Sequence, residues 1–236
     1  MTALRFSGSL VLAGVLMITG CTRYQQESLY QLDSGNISVP TSEQGIALLL
    51  GPVTIADYLQ RDQLLQRQVD GSLTTADNAR WAGSLASEID QQVLRQLASR
   101  LNSQRLVLAP AAAGFVPQAR LNLSITRLDS GPQRPAVLEA QWRLAGADGK
   151  LLDGRLVSLE AEHDGTIVDQ VRAQSEVLQQ LVLVLAKAVE SNRPEERPAV
   201  RVAKPKVSTP VKVTPIAPPQ IPVVEPQRVE SEVFRF

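Results

Sequence analysis

In Gly45-Ile46-Ala47-Leu48-Leu49-Leu50-Gly51-Pro52-Val53-Thr54-Ile55 an unbroken apolar run is bounded by Gly45 and by Gly51-Pro52. Such a run suits a strand buried on both faces, at the centre of a sheet with helices packed over it. That strand is the expected spine of the domain. A polar connection follows, Asp57-Tyr58-Leu59-Gln60-Arg61 and then Gln63 to Arg67, before Arg80-Trp81 opens a long amphipathic helix. Within the connection, Leu64 to Val69 reads as a short strand closed by the turn dipeptide Asp70-Gly71.

Thr74-Thr75-Ala76-Asp77 has capping-box spacing, a hydroxyl for free backbone amides and a carboxylate three residues on. The helix expected after it carries Trp81, Leu85, Ile89, Val93, Leu97 and Leu101 along one face, and Asn102 suits its left-handed end. Upstream, Leu29-Tyr30-Gln31-Leu32 reads as a first strand, and the Pro40-bearing segment from Gly35 to Gly45 as a loop.

Downstream, Leu106-Val107-Leu108-Ala109 is a short apolar strand. Ala119, Leu121, Leu123 and Ile125 then alternate with polar residues, as do Leu138, Ala140, Trp142 and Leu144, and again Val157, Leu159 and Ala161. Period two of this kind marks a sheet with one wet face, so the three segments form an antiparallel meander. Thr166-Ile167-Val168-Asp169 repeats the capping-box spacing and starts a second helix with Val171, Leu178, Leu181, Val182, Leu185 and Val189 inward. The expected fold class is α/β: one domain over residues 29–191, a mixed β-sheet with two long packed helices.

Formal charge balances at zero across 236 residues and aromatics make up 4%, which points away from nucleic acid. One cysteine and one histidine cannot supply the ligands of a typical zinc site, and the sequence predicts no metal and no cofactor. His163-Asp164 is the one place where a histidine meets a carboxylate, and it falls in the turn before the last helix, where an exposed histidine is expected. Neither a glycine-rich phosphate loop nor a Gly-x-Ser-x-Gly elbow occurs, so no catalytic residue is assigned and the chain does not read as an enzyme.

Residues 1–20 form a signal peptide: Arg5, then the apolar run Leu10 to Ile18, too short to span a bilayer. Ile18-Thr19-Gly20-Cys21 resembles the bacterial lipobox, which makes Cys21 the lipidation site and residues 21–28 a tether. The covalent lipid on Cys21 is the one attached group expected. Each buried methylene of an acyl chain contributes about 0.8 kcal/mol, so several chains hold firmly. Thr22 follows the cysteine, whereas aspartate there resembles an inner-membrane retention signal, so the reading is an outer-membrane anchor facing the periplasm. Residues 192–236 are a proline-rich tail, with nine of the fifteen prolines and a basic first half. It reads as an extended linker, or as an arm touching cell wall, anionic lipid or a partner.

Taken together, the lipobox, Leu29-Tyr30-x-Leu32, the run into Gly51-Pro52-Val53, and Asp57-Tyr58-Leu59-x-Arg61-x-Gln63-x-x-x-Arg67 before Arg80-Trp81 resemble the PqiC-like ABC-type transport auxiliary lipoproteins. The resemblance implies a non-enzymatic periplasmic α/β domain tethered to the outer membrane. It also implies a partner of the mammalian-cell-entry (MCE) type, with its permease and ATPase, which forms a lipid-carrying tunnel. Docking at the far end of that tunnel, as a ring-shaped homo-oligomer, is likewise what the resemblance implies. Asp62 stands where the family often has proline, and the proline-rich tail lies outside the family pattern. Tyr58, Leu59, Arg61, Arg67 and Trp81 are the candidate partner-binding residues. Tyr58 and Trp81 read first as core anchors, while Arg61 and Arg67 read equally as bracing for the connection or as facing a partner. Two other readings stand beside docking: an envelope tether whose basic tail binds the cell wall or an anionic surface, and a lipid-binding carrier.

Overall fold

The structure is a computed structural model that describes residues 26–193. The signal peptide 1–20, Cys21, the first part of the tether and the tail from residue 194 lie outside the described residues.

Among the described residues, nine strands and two helices follow one another as β1 (Ser28–Tyr30), β2 (Leu48–Leu50), β3 (Thr54–Ile55), β4 (Gln63–Arg67), β5 (Leu73–Trp81), α1 (Leu85–Arg100), β6 (Leu106–Leu108), β7 (Ala119–Gly131), β8 (Arg134–Gly146), β9 (Leu151–Ala161) and α2 (Ile167–Ser191). The expected mixed sheet with two long helices is what the chain forms. Its spine, however, is β7 and not the run 45–55. Along one edge β7 takes β2, β3 and β4 in turn, all parallel, while β8 lies antiparallel along the other. Leu48 to Leu50 align with Ala119 to Leu121, and Thr54-Ile55 with Ser124-Ile125. The apolar run thus delivers two short strands interrupted at Gly51-Pro52-Val53. There Gly51 donates to Leu121 O at 2.8 Å and Val53 to Asp90 Oδ1 at 2.7 Å. A Cβ at position 51 would meet the Asn122 amide oxygen, the end of an exposed side chain that can swing aside.

The second correction concerns the helix start. Residues 73–81 are a strand, paired antiparallel with β4 and, through Ala79 to Trp81, parallel with β1. Asp70-Gly71 closes that hairpin as expected, with Gly71 at φ 88°. Two ladders outweigh one capping box, whose removal costs about 1 kcal/mol. Helix α1 instead begins after Ser84, whose hydroxyl accepts from Ser87 N at 3.4 Å, and ends before Asn102 at φ 42°. Leu85, Ile89, Val93 and Leu97 are buried as the stripe predicts, and Trp81 enters the same core from the end of β5.

The second box is a true cap: Asp169 N donates to Thr166 Oγ1 at 3.2 Å, and the Thr166 hydroxyl donates to Asp169 Oδ2 at 2.6 Å. Thr166→Ala is expected to cost about 1 kcal/mol in urea unfolding, and Thr74→Ala less than about 0.5 kcal/mol. Equal losses would reverse the assignment of the two boxes.

Both helices pack on one face of the sheet, over a core centred on Trp142, Leu121, Leu138, Ile89, Leu97 and Leu178. Asn122, Gln141 and Arg143 point from the other face into water. The meander β7-β8-β9 is as expected, and β7 bends at a bulge between Ile125 and Arg127. His163 sits in the turn before α2, half-buried rather than exposed, because Nδ1 accepts from Gly165 N at 3.0 Å.

Candidate functional site

The polar connection folds back on itself. Ala56 N bonds to Ile125 O at 3.0 Å, which ties the end of β3 to β7. A short 3-10 turn, Asp57–Gln60, then lifts Tyr58 over the sheet and buries Leu59. Arg61 is extended at φ −91° and ψ 149°, and Trp81 N donates to Asp62 O at 2.8 Å, which brings the end of β5 against the turn. Tyr58, Leu59, Arg61 and Trp81 consequently line one crevice, floored by Leu128 and Gln174. Its volume of about 10 Å³ admits a single water. Four of the five sequence-predicted residues meet here. Trp81 and Leu59 are buried, Tyr58 is half-buried, and Arg61 is exposed and makes no ion pair among the described residues.

Arg67 does not reach the crevice wall. Its Nε donates to Asp129 Oδ1 at 2.9 Å, its Nη2 to Oδ2 at 2.6 Å, and its Nη1 to Gly71 O at 2.8 Å. The Asp129 side chain is 1% exposed. Tyr58 Oη also donates to its Oδ2 at 2.9 Å, and Arg127 Nε to its Oδ1 at 3.0 Å. Leu128 N completes the cluster by donating to Tyr58 Oη at 3.3 Å. One carboxylate therefore joins the 3-10 turn, β4 and β7, with four side-chain donors aimed at it. A bidentate guanidinium fits this role better than a lysine ammonium, whose point charge lacks the fork geometry.

Charge follows from that geometry. Burial alone raises the Asp129 carboxyl, but the hydrogen bonds from Arg67, Tyr58 and Arg127 win and hold it below the usual 3.8. The Tyr58 phenol is pushed up from 10.0 to about 12, first by burial and then by the Asp129 charge. A fully bonded carboxylate and a protonated phenol make a brace, with no free base between them. Tyr58 adds stability below pH 10.0 that is lost as pH rises through about 12. An ultraviolet titration should show one of the chain's three tyrosines ionising near pH 12, a phase missing from Tyr58→Phe. A titration complete in the ordinary phenol range would contradict the brace.

A second polar layer backs the crevice. Gln174 Nε2 donates to Ser130 Oγ at 2.8 Å, Gln66 Nε2 to Gln170 Oε1 at 3.2 Å, and Gln170 Nε2 to Gly165 O at 2.8 Å. These bonds fix the first turns of α2 to β4 and to the end of β7. Sequence reasoning missed Asp129, Gln174 and Arg127. Asp129 left no periodic signal: the bulge between Ile125 and Arg127 shifts the period, so that Leu128, opposite Leu138, takes the core position and Asp129 lies opposite Val137.

The fold recurs in solved structures. An uncharacterized protein superposes with a TM-score of 0.57 at 21% identity, covering 70% of this chain and 99% of its own. A protein from Xanthomonas campestris superposes with a TM-score of 0.53 at 16% identity, covering 67% of this chain and 92% of its own. Both show the shared fold alone. No curated protein matches the chain closely enough by sequence to count as a relative. The model of one family does match, over residues 30–186, from β1 through most of α2 and across the whole crevice. The chain belongs to the family of ABC-type transport auxiliary lipoprotein components.

Proposed function

We propose that the chain is a non-enzymatic, lipid-anchored subunit of an envelope lipid-transport system, held at the outer membrane through acyl chains on Cys21. It docks as a homo-oligomer to the periplasmic end of an MCE-type membrane protein served by a permease and an ATPase. One observation carries this reading. The family match spans the folded body, and the ordered motif residues Tyr58, Leu59, Arg61 and Trp81 converge on a single rim, with Arg67 bracing it from beneath.

The crevice has room for one water and for no acyl chain, which supports docking of a protein surface at this place over lipid carriage there. Arg61 is the exposed cation of that rim, suited to meeting an acidic partner and to setting its rate of approach. The test is co-purification of the MCE-type protein in detergent. Wild type should retain the partner through stringent washing, Arg61→Glu should lose most of it without loss of thermal stability, and Cys21→Ala should leave the protein free of the membrane and inactive in transport. Full transport by Cys21→Ala, or partner retention unchanged in Arg61→Glu, would refute the anchor or the docking rim respectively.

A further inference from the structure

The run of strands β6-β2-β7-β8-β9 ends in two free edges. Among the described residues β6 pairs with β2 alone, and β9 with β8 alone. Both edges are apolar and half-covered. Leu106 and Leu108 of β6, and Val157 and Leu159 of β9, pack on the core from its two margins, and all four are half-buried. On β6 the outward polar groups can be named. Leu48 N donates to Arg105 O at 3.0 Å and Ala109 N to Leu50 O at 2.8 Å, so by strand alternation Leu106 and Leu108 turn their N–H and C=O groups to the open side. On β9 the first half is occupied with itself: the Asp153 carboxylate accepts from Gly154 N at 2.7 Å and pairs with Arg155 at 3.4 Å. Leu156 to Ala161 remain as open edge, and such an edge is a template for another strand.

We infer that the occupant of the β9 edge is β6 of the next copy of the chain, so that each copy offers one edge and receives the other. This rests on the homo-oligomer reading above and names its contact. Two different patches meet, which is the heterologous contact a ring requires, whereas a patch paired with itself closes at two copies. Strand direction agrees. β2 and β6 run parallel to β7, and β9, antiparallel to β8, also runs with β7. Copies related by rotation about an axis along the strands therefore bring β9 and β6 together in parallel, with the helices of every copy on one side of a continuous sheet. Register follows from the half-buried side chains. With Leu106 opposite Val157 and Leu108 opposite Leu159, the four apolar groups seal the open margins of two cores against each other, and Val107 meets Ser158 on the wet face. A slip of one residue sets core-facing leucines beside the water-facing row of β9. A slip of two in one direction places Leu106 opposite Arg155, and in the other it leaves Val157 uncovered and spends Leu108 on Ala161, which is already buried.

The experiment places one cysteine on each edge of the full-length lipoprotein, Val107→Cys and Ser158→Cys, and treats the protein in mild detergent with a short bifunctional maleimide. Residues opposite one another on neighbouring strands lie about 5 Å apart, within its reach. Cys21, the one natural cysteine, carries the acyl chains in this reading, and each single variant controls for it. The double variant should give a ladder of dimers, trimers and higher species on a denaturing gel. Each single variant should run as a monomer, and the two single variants produced together should stop at dimers, because each copy then carries one thiol. Amide exchange supplies a second measurement that needs no substitution: Leu106 and Leu108 should exchange about tenfold or more slowly in the assembled protein than in monomer obtained by dilution. A wild type that sediments as a monomer overturns both this contact and the homo-oligomer reading. An assembled protein whose double variant gives no ladder, or whose Leu106 and Leu108 amides exchange as in the monomer, overturns the contact between β6 and β9 alone. Dimers as the largest species from the double variant overturn it as well, since a self-paired patch stops at two.

Discussion

Asp129→Ala should cost about 3–5 kcal/mol of folding free energy, because removing one side of a buried ion pair strands the other. The substitution leaves the Arg67 fork, the Arg127 Nε and the Tyr58 hydroxyl without their shared acceptor, in a place where the lost carboxylate was 1% exposed. Urea unfolding gives the number. The cost should come from the stranded cations more than from the lost bonds, so Asp129→Leu combined with Arg67→Met should recover a large part of it. The pH dependence has a definite sign. Because the folded Asp129 pKa lies below 3.8, its contribution is complete above that value and disappears as pH falls through the lower folded pKa. Asp129→Ala should therefore flatten the acid limb of the stability profile. A loss below about 1 kcal/mol, the range of an exposed surface pair, would mean that the network carries no weight in holding the connection.

Gly131→Ala is expected to be nearly as damaging, at about 3 kcal/mol, the upper end of what overpacking costs. A methyl group at position 131 would overlap the carbonyl oxygen of Arg67, which is backbone and cannot swing aside. Relief would require β4 to withdraw from β7, where the two are joined at the register Gln66 to Ser130. That withdrawal also pulls the Arg67 fork off Asp129. The two substitutions should consequently be less than additive when combined, since each loosens the same junction. Thermal unfolding of the single and double variants checks both statements. A Gly131→Ala protein as stable as wild type would show that the strands have slack at this point.

Much of the architecture is legible because it rests on local patterns. Period two in residues 119–161 marks the meander, the Thr166 box marks the start of α2, and Asp70-Gly71 marks the β4-β5 turn. The helix expected after Thr74 is a strand for a physical reason. A capping box is worth about 1 kcal/mol wherever it occurs, and it says nothing about whether strands elsewhere compete for the same residues. The signal for the true start is the Gly83-Ser84 break just past Trp81. For the site, the motif residues around the crevice can be named from the sequence. Their division into a buried brace and an exposed rim cannot, since Arg61 and Arg67 look alike until Asp129 is found beside one of them.

The sequence by itself determined the secondary structure of the body after Ser84, the family, and the candidate residues from Tyr58 to Trp81. Each of these depends on spacing along the chain. Tertiary structure alone decided that β7 is the spine, that the run 45–55 breaks into β2 and β3, and that Asp129 holds the connection. Those outcomes depend on which distant strand wins an edge and which buried charge finds a partner. Asp129 meets Arg67 from sixty-two positions away, and pairings at that distance leave no period in the chain to read.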